Sequence, residues 1–198
     1  MEARADPAER AAAARRHSSG MTVPHTAAPF EPTATVREGR GSDVATVVAM
    51  VHELAEYERA ADQARITTDQ LHRAVFEGAS PDGQPAAYLL VAEVDGPQGA
   101  EVVGFALWFL NFSTWEGVHG IYLEDLYVRP AHRGTGAGRA LLTALARIAT
   151  ERGYARVDWS VLSWNEPAIA FYRRIGAIAL EEWRTYRLTG SALASLAR

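Results

Sequence analysis

The side chains and turns best equipped for chemistry fall in one stretch, residues 121–139 (IYLEDLYVRPAHRGTGAGR), where two adjacent carboxylates precede a glycine-rich turn. Gly134, Gly136 and Gly138 at the mouth of a following helix would let backbone N–H groups approach an anion that the helix dipole also favours, which describes a phosphate cradle. Other readings stand beside it. A dinucleotide fingerprint would put its glycines directly after the strand, whereas here residues 129–133 intervene and Arg139 fills the third glycine position. A P-loop needs a lysine, and all twenty basic residues of this chain are arginine. A glycine-rich loop without a ligand stays open.

Glu124 and Asp125 are consecutive in a strand, so their side chains point to opposite faces unless a bulge redirects one. Solvated carboxylates are the plain alternative. Tyr172 shares the apolar face of a short helix with Phe171, where core packing is the plain reading. The absence of cysteine excludes disulfides, thiolate zinc sites and a cysteine nucleophile. The absence of lysine excludes a Schiff base. The six histidines show no metal spacing, and His52-Glu53 runs on as Leu54-Ala55-Glu56 rather than HExxH, so no metal is expected. A net charge of -4 argues against nucleic acid as a partner.

Several elements must position these groups. At 198 residues, 48% hydrophobic and 22% charged, the chain suits one soluble domain with some excess. The longest apolar run, residues 102–110, falls short of the ~18 residues of a membrane helix. Residues 1–32, with four arginines offset by four acids and no apolar periodicity, are expected to be a disordered leader, with Met21 an alternative start. Residues 33–37 alternate as a strand. Val44, Val47, Val48, Val51, Leu54 and Ala55 form a helical stripe capped by Ser42 or Asp43. Thr67 and Gln70 form a capping box before a second helix that stops at Gly78. Residues 87–94 and 101–109 are an antiparallel hairpin, 121–128 a strand, and Leu141, Leu142, Leu145 and Ile148 mark a helix closed by Gly153. Residues 156–162 are a strand, Asn165 caps a short helix, and a last strand is expected within 181–188. This is a mixed α/β fold whose hairpin forbids an all-parallel sheet.

Arg133-Gly134-Thr135-Gly136-Ala137-Gly138 matches the R/Q-x-x-G-x-G/A signature of the GNAT N-acetyltransferases. ELAEYE at 53–58, YLEDLYV at 122–128, and WNEPAIAFY at 164–172 followed by Gly176-Ala177 resemble the spermidine/spermine, or diamine, N-acetyltransferase subgroup. The resemblance spans residues 33–188 and leaves 189–198 as a tail. It implies a mostly antiparallel mixed sheet with a central splayed parallel pair, flanked by helices. It also implies acetyl-CoA as co-substrate, a homodimer and a cytoplasmic enzyme.

Acetyl transfer to an amine has definite needs. An alkylammonium of pKa ~10.4 is neutral in about one molecule in 2,500 at pH 7, a handicap of roughly 4.6 kcal/mol. By the resemblance Glu124 accepts this proton or anchors the ammonium, with Asp125 secondary, and Tyr172 acts as acid toward the CoA sulfur. A phenol near pKa ~10 is a weaker acid than a thiol near ~8.5, so full transfer in water is uphill by about 2 kcal/mol. Hydrogen bonding to a developing thiolate then matters more than complete proton transfer. The resemblance also implies that the backbones of Leu126, Tyr127 and Val128, and of Asp158, Trp159 and Ser160, flank the pantetheine. Asn165, with Glu166, Pro167 and Ala168 at the same helix start, would contact it. Arg133 and Arg139 would face the CoA phosphates, unless either is an ordinary surface arginine.

Tyr57 and Glu58 match the subgroup's acceptor-site pair. They lie in residues 43–77, where seven acids outnumber three arginines, a balance that suits a cationic acceptor. Trp115 lines the acceptor pocket or simply packs at a hairpin tip. Polyamine-specific members carry an acid just before this tryptophan, whereas Ser113 and Thr114 stand here, closer to the branch associated with thialysine, a lysine-like amino acid. The acceptor class is therefore a polyamine, a diamine or a lysine-like amino acid. Absence of cysteine favours direct transfer in a ternary complex. A CoA-binding regulatory module without turnover is the competing class.

Overall fold

The computed structural model describes residues 34–78, 83–97 and 99–198. The expected leader at 1–32 lies outside them. Five strands form one sheet in the order β1 (Thr35–Glu38), β2 (Tyr88–Gly96), β3 (Gly99–Ser113), β4 (Val118–Val128) and β5 (Val157–Trp159). The first four pair antiparallel and β4 pairs parallel with β5, as the family's mixed sheet requires.

Apolar side chains on both faces of β2 divide the core in two. Leu89 and Val91 pack beneath α1 (Val44–Tyr57) and α2 (Thr68–His72) with Val47, Met50, Leu71, Phe105 and Tyr127. Leu90 and Ala92 face α3 (Ala137–Glu151), where Leu141 and Leu145 are fully buried beside Ile121 and Leu123. Each such leucine contributes roughly 1.5–3 kcal/mol through removal of its side chain from water. Phe171 and Tyr172 of α4 (Glu166–Arg174) pack against the same layer. Sheet and helices thus make three layers, with α3 and α4 on one face.

The capping box forms as expected: Gln70 N–H donates to Thr67 Oγ1 at 3.2 Å, and Thr67 N–H to Gln70 Oε1 at 2.9 Å. At the start of α1 the outcome differs. Asp43 occupies the N-cap position, but its carboxylate accepts from Arg37 at 2.6 and 3.0 Å and from Arg40 N–H at 2.7 Å, not from the helix's first turn. A charged guanidinium outcompetes an amide for a carboxylate. Arg37 holds this buried carboxyl below its usual range, and its other partner is Glu93 of β2.

The last strand expected within 181–188 does not form. Residues 177–189 run as irregular backbone, α5 (Gly190–Leu196) follows, and Ile178, Leu180, Trp183, Tyr186 and Leu188 are exposed. An alternating sequence makes a strand only beside another strand, and β5 is three residues long with β4 as its sole partner.

Candidate active site

Two irregularities at β4 create the site. Leu107 pairs with Asp125 and Trp108 with Leu123, so Glu124 is an extra residue, a β-bulge in β4. Beyond the Leu123–Trp159 pair, β4 continues to Val128 whereas the chain leaves β5 at Ser160. The strands part, and a cavity of about 780 Å³ fills the opening. Glu124, Asp125, Leu126, Tyr127 and Val128 line one side and Ser160, Val161 and Leu162 the other. Strict alternation would have sent Glu124 and Asp125 to opposite faces; the bulge lets both border the cavity.

The glycine loop forms one end. Gly134 and Gly136 have φ of 80° and 92°, values that favour glycine, and Gly136 is the N-cap of α3 with no side-chain cap. Gly138 is different. A Cβ there would meet only Val128 Cγ2, at 3.7 Å, so the protein's own packing does not demand glycine and the space in front belongs to the cavity. Uncapped first-turn N–H groups beside such a space suit a phosphate ester. Gly134, Gly136, Gly138, Arg133 and Arg139 line this end with His132. Thr135 instead braces the loop by donating to His132 O at 2.7 Å, and Ala137 is buried in the core.

Arg133 faces inward. Its guanidinium lies 4.8 Å from the Tyr57 ring centroid and 5.4 Å from that of Tyr127, and its Nε donates to Val128 O at 2.9 Å. It therefore bridges the glycine loop and the acceptor end. Behind it, Tyr127 OH donates to Glu53 Oε2 at 3.2 Å, and Glu53 pairs with Arg129 at 3.2 Å, tying α1 to the end of β4.

Tyr57, Glu58 and Leu54 of α1 and its C-terminal turn line the acceptor end, together with Tyr172, Phe171, Arg174 and Ile175 from α4 and its end. Tyr172 packs against Trp159 with ring centroids 4.9 Å apart. Burial and the Glu58 charge raise its phenol above the ordinary tyrosine value, so it is a neutral hydrogen-bond donor across the physiological range. Asp125 is pushed up to about 6, by burial first, then by Glu124 and Glu58. Burial alone raises Glu58. Asn165 caps α4 by accepting from Ala168 N–H at 3.4 Å and also accepts from Tyr57 OH at 3.1 Å; with Pro167 and Ala168 it borders the cavity.

Four other candidates lie outside the cavity lining. Asp158 turns its carboxylate to Arg156 and Asn111, at 2.7 and 3.2 Å, Trp159 backs Tyr172, and Glu166 is exposed in the first turn of α4. Trp115 is 85% exposed at the β3–β4 turn. Leu54, His132, Val161, Leu162, Phe171, Arg174 and Ile175 line the cavity without having been singled out for it. Only the α1 stripe and the loop histidine carried any sequence signal for that position.

The C-terminus of α1 has an unusual residue. Arg59 N–H bonds to Glu56 O at 3.1 Å and Ala60 N–H to Ala55 O at 2.8 Å, the paired closure of a Schellman motif, which places Arg59 at φ 59° where glycine is usual. It is the only non-glycine residue at positive φ among those described, at a cost of about 1 kcal/mol. Its guanidinium lies 5.9 Å from the Trp164 ring centroid, and Trp164 packs on Tyr57 with centroids 5.9 Å apart.

Comparison with known proteins agrees with this architecture. The acetyltransferase (GNAT) family model matches residues 48–177. Thialysine N-epsilon-acetyltransferase of Bos taurus is 36% identical over 169 residues, 82% of this chain and 96% of its own length. L-ornithine N5-acetyltransferase NATA1 of Arabidopsis thaliana is 44% identical over 95 residues, 48% of this chain and 42% of its own. Among solved structures, integron cassette protein VCH_CASS6 from the V. cholerae mobile metagenome superposes with a TM-score of 0.67 at 27% identity, covering 85% of this chain and 99% of that one. A family model over most of the sheet, and a relative matched almost end to end, make this chain a member of the acetyltransferase (GNAT) family, an N-acetyltransferase similar to the diamine and thialysine branch.

Proposed function

We propose that this protein transfers the acetyl group of acetyl-CoA to a primary amine of a small cationic acceptor: a polyamine, a diamine or a lysine-like amino acid. Transfer is direct, within a ternary complex. One observation carries the reading: three carboxylates, Glu58, Glu124 and Asp125, share a cavity with an uncapped, glycine-lined helix N-terminus. One end suits an ammonium and the other a phosphate ester, as the two substrates need.

Acetyl-CoA supplies the activated acyl group. First-turn N–H groups of α3, with Arg133 and Arg139, bind the CoA phosphates, and the β4 edge at 126–128 and the segment from Ser160 hold the pantetheine. Glu124 and Asp125 draw the acceptor ammonium in and take its proton. Asp125, near 6, is better matched to neutral pH than an ordinary aspartate. Tyr172 donates a hydrogen bond toward the departing sulfur; its raised phenol favours sharing the proton over giving it up.

A homodimer and a cytoplasmic location belong to the same reading. The apolar side chains exposed between Ile178 and Leu188 support the dimer, since a second copy would cover them. Light scattering on wild type and Trp183→Asp tests it, a dimer that weakens in the variant being expected. Thiol release with spermidine, putrescine, lysine and thialysine tests the activity. Tight CoA binding with no amine-dependent release across the panel would replace the enzyme by a CoA-binding module.

A further inference from the structure

We propose that Arg59 is the specificity residue of the acceptor site and reads a carboxylate on the acceptor, so that this enzyme prefers the side-chain amine of an α-amino acid to a polyamine or diamine. The inference rests on the cavity being the acetyl-transfer site.

Three observations converge on Arg59. It directly follows Glu58, which lines the cavity, so a positive and a negative side chain stand side by side at the acceptor end. None of the ion pairs among the described residues includes Arg59 or Glu58. Second, the guanidinium is held on the face of Trp164, whose neighbour Asn165 borders the cavity, so it is pre-positioned without being neutralised. Third, the backbone at Arg59 is left-handed, a position that folding alone would give to glycine. Strain of this kind persists where a side chain is needed for something other than the fold.

An adjacent cation and anion complement the head group of a zwitterionic amino acid. The α-carboxylate meets Arg59 in a charge-assisted pair, and the α-ammonium meets Glu58. The side-chain amine then extends toward Asp125 and Tyr172, both of which feel the Glu58 charge and so lie within reach of it. A polyamine offers Arg59 only another cation.

The test uses three pairs of acceptors that differ only in the α-carboxylate: lysine and 1,5-diaminopentane, ornithine and 1,4-diaminobutane, thialysine and bis(2-aminoethyl) sulfide. In wild type kcat/KM should favour the amino acid by about 10- to 100-fold, the worth of one charged hydrogen-bonded pair. Arg59→Gly should keep or raise Tm, because glycine suits the position, yet bring the ratio toward one, chiefly through the amino acid's KM. R59K should keep part of the preference and R59E should reverse it. A ratio unchanged in folded R59G, or equal use of both members by wild type, overturns the assignment while leaving amine acetylation intact. Wild type that releases thiol with none of the six amines overturns both.

Discussion

The two ends of the cavity are built from different materials. The glycine-loop end is backbone: Gly134 and Gly136 in left-handed turns, the first N–H groups of α3, and the β4 edge, all resting on the buried Leu141–Leu145 face. The acceptor end is side chains on the last turn of α1 and on α4, held by Tyr57 on Asn165, Arg133 on Tyr57, and Trp164 between Tyr57 and Arg59. A backbone cradle cannot be retuned by single substitutions, so it suits the ligand that never changes. Side chains at a helix end can be exchanged without disturbing the sheet, so they suit the ligand that distinguishes one member from another.

Breaking each end separately tests this division. The largest effect is expected for Asp125→Asn, which should lower kcat/KM by about 10²–10⁴-fold if this carboxylate takes the proton. Tyr172→Phe should lower kcat by about 10²-fold and leave acetyl-CoA affinity intact, as steady-state kinetics and calorimetry would show. Gly138→Val fills the cradle without a clash against the protein. It should raise the acetyl-CoA KM by about tenfold or more while Tm and acceptor KM stay put.

The pH dependence gives a subtler measure. With Asp125 near 6, kcat/KM for the acceptor should fall below about pH 6, and Glu58→Gln should move that limb to lower pH by removing a negative neighbour. Stability runs the other way. A carboxyl raised in the folded state stabilises it fully only below the unfolded value near ~3.9, and that contribution is lost as pH rises through about 6. Asp125→Asn should therefore be more stable than wild type at pH 7.5, by about 2 kcal/mol, with the difference shrinking between pH 6 and 4 in urea titrations. Asp43 behaves oppositely. Its lowered carboxyl stabilises the fold above ~3.9 and stops doing so as pH falls through the folded value, so Asp43→Asn should cost about 1–2 kcal/mol at neutral pH and leave kcat/KM unchanged.

Local signals were legible in the sequence and long-range ones were not. The Thr67–Gln70 box, the α1 and α3 stripes and the glycine turn depend on neighbours within a few residues, and each forms where periodicity and capping put it. The family resemblance named both ends of the site, including Tyr57, Glu58 and Tyr172, all of which border the cavity. The bulge at Glu124 was beyond reach, because it is a property of register between β3 and β4. Residues 181–188 looked like a strand for the same reason in reverse: alternation is local, but the partner that would make it a strand is not. Arg59 carried no signal at all, since a left-handed arginine reads like any other until the backbone is seen.

The single unpaired residue in β4 also acts as a reading frame. Deleting Glu124 would restore one-to-one pairing with β3 and leave every amide of the ladder satisfied, a tidier sheet by any count of hydrogen bonds. It would also bring the cavity wall one residue too close to the strand start, so that Leu126, Tyr127 and Val128 each inherited the neighbour's place relative to the loop. Insertions and deletions are usually tolerated in the turns of such a protein. Here a length change inside a strand would be felt as a change of chemistry.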